Sequence, residues 1–225
     1  KIMKIIATKN ETKEFQKVAP GTYYARCYRV IDLGHQTVEY NNDRKVVHQV
    51  MLTWELPTEK AVFDEAKGEE PFAISKTYTL SLHEKSNLRA DLESWRGKAF
   101  TEKEARAFDL VKLLGKPCLL SVAHKQKKDG SGTYAFVSSI APLMKGQECP
   151  PQINPTKVLA WDEFNWDLFE SLSDYTKDKI KASEEFKRLQ EPPVLVRDEE
   201  TGNDEINDYQ PDLPGYNSEE DDLPF

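Results

Sequence analysis

Aromatic and cationic side chains alternate along the first strand-like stretch of this chain. Tyr24, Arg26 and Tyr28 have the same parity, and Arg29 is adjacent. Residues two apart in an extended strand project from the same face. A ring, a cation and a ring suit single-stranded nucleic acid, which needs stacking surfaces for bases and positive charge for phosphates. The alternative is that the tyrosines pack in the core, since aromatic residues are common in strands.

A second cluster of the same chemistry surrounds the Gly-rich stretch 129–132. Tyr134 and Phe136 follow this stretch on the same parity. One of the two rings is expected to be a stacking platform for a base and the other to pack in the core. Lysines in such a loop contact phosphates and release counterions. The alternative is a solvated hairpin tip. The lysines that precede the glycines are Lys125, Lys127 and Lys128.

Lys76 interrupts an otherwise apolar strand face that also carries Tyr78. It marks a bulge, or it brings both side chains to a binding groove. Trp54 and Trp95 are predicted to be core anchors of a strand and a helix. The predicted nucleic-acid-binding residues are therefore Tyr24, Arg26, Tyr28, Arg29, Lys76, Tyr78, Lys125, Lys127, Lys128, Tyr134 and Phe136.

The charge is distributed unevenly along the 225 residues. The net charge is −8, but residues 1–146 carry +6, residues 147–197 carry −3 and residues 198–225 carry −11. The chain therefore combines a mildly basic body with an acidic tail. It has no apolar run of about 18 residues, which excludes a membrane-spanning helix. No Cys/His cluster has metal spacing, and no cofactor is expected.

Hydrophobic periodicity predicts five strands with a helical insert between the third and the fourth. The stretch 58–71 is charged and is predicted to be a surface loop. The helices are predicted from Ser86 to Gly97 and over 102–114. The strands are predicted over 22–33, 45–56, 72–82, 118–124 and 134–140.

The composition changes after Pro142. Residues 146–157 have the composition of a linker, and helical spacing predicts helices over 162–172 and 173–189. The acidic remainder is short of aliphatic residues and is predicted to be disordered. Three parts follow: a domain over 1–145, a linker with a helical segment over 146–197, and a tail over 198–225. The three cysteines are expected to be reduced core thiols of a cytoplasmic protein.

This order of elements resembles the OB-fold, a five-stranded Greek-key barrel that binds oligonucleotides. The resemblance implies a mainly β fold in which the loop between the fourth and fifth strands lines the binding groove. Stretches within residues 20–145 resemble a phage-encoded replication or single-strand-binding family. The stretches are Ser81–Lys85, Leu92–Gly97 and Leu114–Pro117.

The last nine residues, 217–225, resemble the acidic tip of bacterial single-stranded-DNA-binding proteins. The resemblance implies docking of replication and recombination proteins, with the acids steering the tip toward basic partners and the ring seated in an apolar pocket. The alternative is an acidic tail that only aids solubility. The residues that match this tip position by position are Asp221, Asp222, Leu223, Pro224 and Phe225.

The sequence therefore predicts a non-enzymatic single-stranded-DNA-binding protein of phage replication and recombination, located in the host cytoplasm; a homo-oligomer is compatible with it. A recombination annealing protein needs the same groove and is the first alternative. A nuclease needs clustered carboxylates for metal ions, whereas acids such as Glu65, Glu69 and Glu70 are scattered on a predicted loop. A docking adaptor that carries the tail without contacting DNA is the last alternative.

Overall fold

The computed structural model describes residues 16–40, 43–127, 129–190, 195–197 and 204–206. Five strands form a mainly antiparallel β structure: β1 (Gly21–Tyr40), β2 (Asp43–Asp64), β3 (Gly68–Thr79), β4 (Pro117–Gln126) and β5 (Thr133–Ala141). Their order in the sheet is β3-β2-β1-β4-β5. The sheet is curled, and the strands at the two ends of this order, β3 and β5, also contact each other. The predicted mainly β architecture is confirmed at this level.

The inner face of the sheet carries the larger apolar cluster, to which alternate residues of each strand contribute. Trp54 of β2 is fully buried there, and its ring centroid lies 5.9 Å from that of Trp95. Both tryptophans are core anchors, as predicted. Cys27 and Cys118 belong to the same cluster as free thiols, and burial raises the pKa of Cys27 to about 12.

The connection from β3 to β4 contains the predicted helical insert. Helix α1 (Asn87–Arg96) begins where the Ser86 hydroxyl accepts from the backbone N–H of Arg89, and it ends at Gly97 with a φ of 67°. These are the predicted helix limits. The predicted helix over 102–114 is wrong in extent. Helix α2 (Glu102–Arg106) stops early, because the Asp109 carboxylate accepts from the N–H of Val111 and begins a separate 3-10 helix, Leu110–Leu113.

The charged stretch 58–71, predicted to be a loop, is instead the end of the β2–β3 hairpin. The two strands stay paired up to Asp64 and Gly68, with register shifts between Leu56 and Lys60 and between Val62 and Asp64. Many side chains are exposed on this part of the hairpin. Without a buried face, a strand shows no alternation of apolar and polar residues, so the sequence pattern could not reveal it.

The outer face of β1 and β2 is covered by the segment that follows β5. Residues Lys157–Leu159 form β6, which pairs in parallel with Arg29–Ile31 of β1. Helices α3 (Trp166–Glu170), α4 (Asp174–Ala182) and α5 (Glu184–Gln190) follow. They are shorter than the two helices predicted. The second cluster packs Ile31, Leu33, Met51, Leu159, Leu168, Phe169, Leu172, Ile180 and Phe186 together.

Two short strands complete the described residues. Leu195–Arg197 pairs antiparallel with Asp204–Ile206 in a separate two-stranded sheet. Residues 204–206 belong to the tail that was predicted to be disordered, and here they form a strand instead. The other tail residues from 198 onward lie outside the described residues.

Candidate nucleic-acid interface

The β4–β5 hairpin brings a cation and two rings together on the outer face of the sheet. Lys125 lies directly across from Tyr134 in the strand register, and both side chains are exposed. Tyr134 and Phe136 alternate with Ala135 and Val137, which pack on the inner cluster. Both rings therefore lie on the outer face, with centroids 6.3 Å apart. The expectation that one of the two packs in the core is not met.

The tip of this hairpin is closed by local hydrogen bonds. The N–H of Lys127 donates to the Gly132 carbonyl at 2.9 Å, and the N–H of Ser131 donates to the Asp129 carboxylate at 3.0 Å. Gly130 has a φ of 71°, in the left-handed region that favours glycine. Lys127 is exposed at this tip. Lys128 lies outside the described residues.

Tyr24 lies on the same outer face, farther along the sheet. It pairs with Leu119 of β4 and is half-buried. Leu119 and Lys125 are six residues apart on one strand, which corresponds to about 20 Å. The neighbouring Thr22 and Ser121 hydroxyls, 3.1 Å apart, continue this face with hydrogen-bonding groups. The outer face of β1, β4 and β5 is therefore a polar surface that carries rings at both ends.

Arg26 contacts backbone carbonyls with all three of its guanidinium nitrogens. Its Nε donates to the Pro150 carbonyl at 2.6 Å, Nη1 to Gly115 at 2.8 Å and Nη2 to Cys149 at 2.9 Å. Five N–H donors in a fixed fork suit this bracing role. Arg26 therefore holds the chain after β5 against β1, and the predicted phosphate contact has to compete with these bonds.

Tyr28 is only 7% exposed, because a register shift between Cys27 and Arg29 interrupts the alternation of β1. Burial raises the pKa of its hydroxyl. Arg29 remains half-buried on the outer face, with its guanidinium 5.6 Å from the centroid of the Tyr28 ring. Its Nε lies 3.4 Å from the hydroxyl of Thr53. The ring of Tyr28 thus lies beneath the surface, and Arg29 is the accessible member of the pair.

Lys76 and Tyr78 both bind Asp91 of α1. The ammonium of Lys76 lies 2.5 Å from Asp91 Oδ2, and the Tyr78 hydroxyl donates to the same oxygen at 2.7 Å. Tyr78 is 3% exposed, and burial together with Asp91 raises its pKa. No register shift occurs at Lys76, whose Cα pairs with Leu52. The bulge is absent, and Tyr78 is a core residue without a ring face for a base.

Two carboxylates that the sequence analysis missed organise these surroundings. Asp91 anchors α1 to β3, as described above. Glu55 is fully buried on the outer face and accepts from the N–H groups of Ile153 and Asn154 at 2.6 and 2.7 Å. It also accepts from the side-chain amide of Asn154 at 2.6 Å. An acid between Trp54 and Leu56, in an otherwise apolar run, was the signal available for Glu55.

The segment 149–154, here called the strap, is thereby fixed to the outer face by two polar side chains of neighbouring strands. Arg26 and Glu55 are Cα partners in the β1–β2 register. Arg26 binds strap carbonyls and Glu55 binds strap N–H groups. Part of the predicted linker 146–157 is therefore attached to the sheet.

No protein-family model, no curated protein and no solved structure matches this chain. Within the described residues, no group of three or more His, Cys, Asp or Glu side chains is arranged to hold a metal ion. No helix in the same part of the chain is long and apolar enough to cross a membrane. The predicted partner-binding residues Asp221, Asp222, Leu223, Pro224 and Phe225 lie outside the described residues.

Proposed function

We propose that this chain is a non-enzymatic single-stranded-DNA-binding protein that acts in phage DNA replication and recombination. The observation that carries the proposal is the outer face of the β4–β5 hairpin. There, exposed Lys125 lies across from exposed Tyr134, with Phe136 beside it. Cationic side chains next to accessible rings supply the phosphate contact and the base stacking that single strands require.

The connectivity of the sheet supports an OB-fold barrel as the scaffold of this surface. A central β1 pairs with β2 along one part of its length and with β4 along another, while β3 approaches β5. Helix α1 contacts both β3 and β5. In this fold the loop between the fourth and fifth strands borders the oligonucleotide site. In this chain Lys127 lies in that loop, and Lys125 lies at the adjoining end of β4.

The second element of the proposal is recruitment of partner proteins by residues 221–225. Its support is the resemblance of this stretch to the bacterial acidic tip. Asp221 and Asp222 steer the segment toward a basic partner, and the ring of Phe225 fills an apolar pocket there. Pro224 limits the conformational freedom that is lost on binding.

Fluorescence anisotropy of labelled oligo(dT), measured over a range of salt concentrations, tests the DNA-binding part. We expect log affinity to fall linearly with log salt, by about 0.7 for each bound phosphate. We also expect oligo(dT), oligo(dA) and mixed sequences to bind with similar affinity, since every base has a face that can stack. A slope indistinguishable from zero would refute the proposed surface.

A further inference from the structure

A cleft of about 490 Å³ lies between the end of β3 and the loop that leads to α1. Sites for small ligands have volumes of about 300–1,000 Å³. The cleft is polar, and none of the ten described residues that line it is an acid. The lining residues that can donate hydrogen bonds into the cleft include the lysines Lys76 and Lys85, the imidazole of His83, and the hydroxyls of Thr77, Thr79 and Ser81.

The loop beside this cleft is held in one conformation by its own hydrogen bonds. The Ser81 hydroxyl accepts from the N–H of His83 at 3.2 Å. The Ser86 hydroxyl donates to the Ser81 carbonyl at 2.6 Å, and the N–H of Ser86 donates to the His83 carbonyl at 2.8 Å. A loop that is already ordered loses little conformational entropy when it binds a ligand.

The side chains of this loop present hydrogen-bond donors. The N–H of Lys85 donates to His83 Nδ1 at 3.3 Å, so the neutral imidazole carries its proton on Nε2. The ammonium of Lys85 is exposed. Lys76 uses one of its three N–H donors on Asp91, which also accepts from the Tyr78 hydroxyl. Lys76 therefore has two further N–H donors to offer, and its ammonium also lies 5.3 Å from the centroid of the Tyr78 ring.

We propose that this cleft binds a phosphate group. Ammonium groups, an imidazole N–H and hydroxyls form charge-assisted hydrogen bonds with phosphate oxygens. The phosphate belongs either to the backbone of a single strand or to a free nucleotide. The strand source rests on the proposed function. Exposed Thr77 and Thr79 lead from the outer face of β3 into the cleft, and a strand crossing that face would reach Lys85.

The test uses the full chain with Lys85→Glu, His83→Ala and the double variant. The matched control is Lys112→Glu, which reverses the charge of another exposed lysine outside the cleft. For oligo(dT) at low salt we expect Lys85→Glu to weaken binding about fivefold. We expect the salt slope to fall by about 0.7, the value of one bound phosphate, and Lys112→Glu to leave both unchanged. Circular dichroism and denaturant unfolding verify that each variant is folded.

Calorimetric titration with thymidine triphosphate and with inorganic phosphate distinguishes the two sources. If the wild type binds the nucleotide and Lys85→Glu does not, the cleft is assigned to a free nucleotide. A defect confined to oligo(dT) assigns it to the strand. The proposal is overturned if the variants bind oligo(dT), thymidine triphosphate and inorganic phosphate as the wild type does, or if Lys112→Glu causes an equal loss. If the wild type fails to bind oligo(dT), the proposed function fails, and the nucleotide titration alone decides the cleft.

Discussion

Two tyrosines that look equivalent in the sequence occupy opposite environments. Tyr134 is 42% exposed and Tyr28 is 7% exposed. We expect Tyr134→Ala to cost about 1–3 kcal/mol of oligo(dT) affinity because base stacking is removed, with the free energy of unfolding almost unchanged. Tyr28→Ala should instead lower the free energy of unfolding by about 3 kcal/mol or more, as removal of a buried aromatic ring does.

Anisotropy with oligo(dT) and urea denaturation, both applied to each variant, separate these outcomes. Tyr134→Phe is the control, because it keeps the ring and should bind oligo(dT) like the wild type. If Tyr28→Ala left stability intact and weakened DNA binding, the ring of Tyr28 would have to reach the bases despite its burial.

The protonation of His48 makes the free energy of unfolding depend on pH. Its Nε2 lies 2.6 Å from Asp32, and this hydrogen bond raises the pKa of His48, with Glu185 adding to the effect and burial opposing it. The ring of His35, itself 2.5 Å from Glu185, lies 4.6 Å from that of His48. Because the pKa is higher in the folded state, the stabilisation is complete below the ordinary value of about 6.5. It is lost as pH rises through the raised value.

We therefore expect the free energy of unfolding to decrease between about pH 6 and about pH 8 by more in the wild type than in His48→Gln. Denaturant unfolding at both pH values measures this difference. His83→Gln is the control, since His83 is exposed and has no carboxylate partner among the described contacts. An identical pH dependence in the wild type and His48→Gln would contradict the assignment.

Among the elements, the β4–β5 hairpin is expected to set the salt dependence of DNA binding. Replacing Lys125, Lys127 and Lys128 together by Ala should flatten the plot of log affinity against log salt, by about 0.7 for each phosphate that the variant no longer binds. The control is a triple Ala variant of exposed lysines elsewhere, Lys67, Lys112 and Lys145. Equal slopes for the two triple variants would show that general charge, and not this hairpin, determines binding.

The strap depends on the buried carboxylate of Glu55. Glu55→Gln places an amide donor opposite N–H donors of Ile153 and Asn154, so we expect a loss of about 1–3 kcal/mol in the free energy of unfolding. Hydrogen exchange at those two N–H groups should accelerate most. Glu69→Gln, at an exposed position of β3, is the control and should change neither. Unchanged protection in Glu55→Gln would mean that Arg26 holds the strap alone.

Hydrophobic periodicity predicted the elements that have one buried face. It did not predict the hairpin end, which is exposed, or the strap, which is held by polar side chains. The alternation in β2 and β3 and the caps of α1 were sufficient to predict those elements. The hairpin beyond Leu56 is solvated, so it carries no alternation. The strap has the proline content of a linker, and its attachment depends on Arg26 and Glu55, more than 90 residues away. Pairing between such distant polar groups leaves no local pattern.

The residues of the candidate site also fall into two groups, those that local spacing identifies and those whose partners lie in distant elements. Lys125 and Tyr134 were identifiable because they flank a Gly-rich turn within one hairpin, where local spacing determines the register. Arg26, Lys76 and Tyr78 have partners in other elements, namely the strap and Asp91 of α1. Their chemistry was evident from their residue types, but their partners were not.

For the whole molecule, the opposed charges of the body and the tail lead to a further prediction. Residues 1–146 carry +6 and residues 198–225 carry −11. A tethered polyanion at high effective concentration competes with DNA for a basic surface. Deleting residues 217–225 should therefore leave oligo(dT) binding intact or tighten it, mainly at low salt, where charges are least screened. It should abolish recruitment of replication proteins.

Phe225→Ala separates the ring from the acids, because it keeps every charge of the tail. If a pocket in the partner holds the ring, this variant should bind partners much more weakly at physiological salt and bind oligo(dT) normally. Pull-down of replication proteins alongside anisotropy measures both properties. Equal partner binding by the wild type and Phe225→Ala would exclude the pocket and leave recruitment to charge alone.

Because the helices that follow the strap are synthesised late, part of the sheet stays uncovered during translation. The five strands are complete once residue 141 has been made, but among the described residues the later cluster partners of Ile31, Leu33 and Met51 come from position 159 onward. A nascent chain therefore presents a bare apolar surface until the helices over 166–190 emerge. A fragment that ends near residue 145 should retain that surface permanently, and we expect it to self-associate or to require a chaperone where the full chain does not.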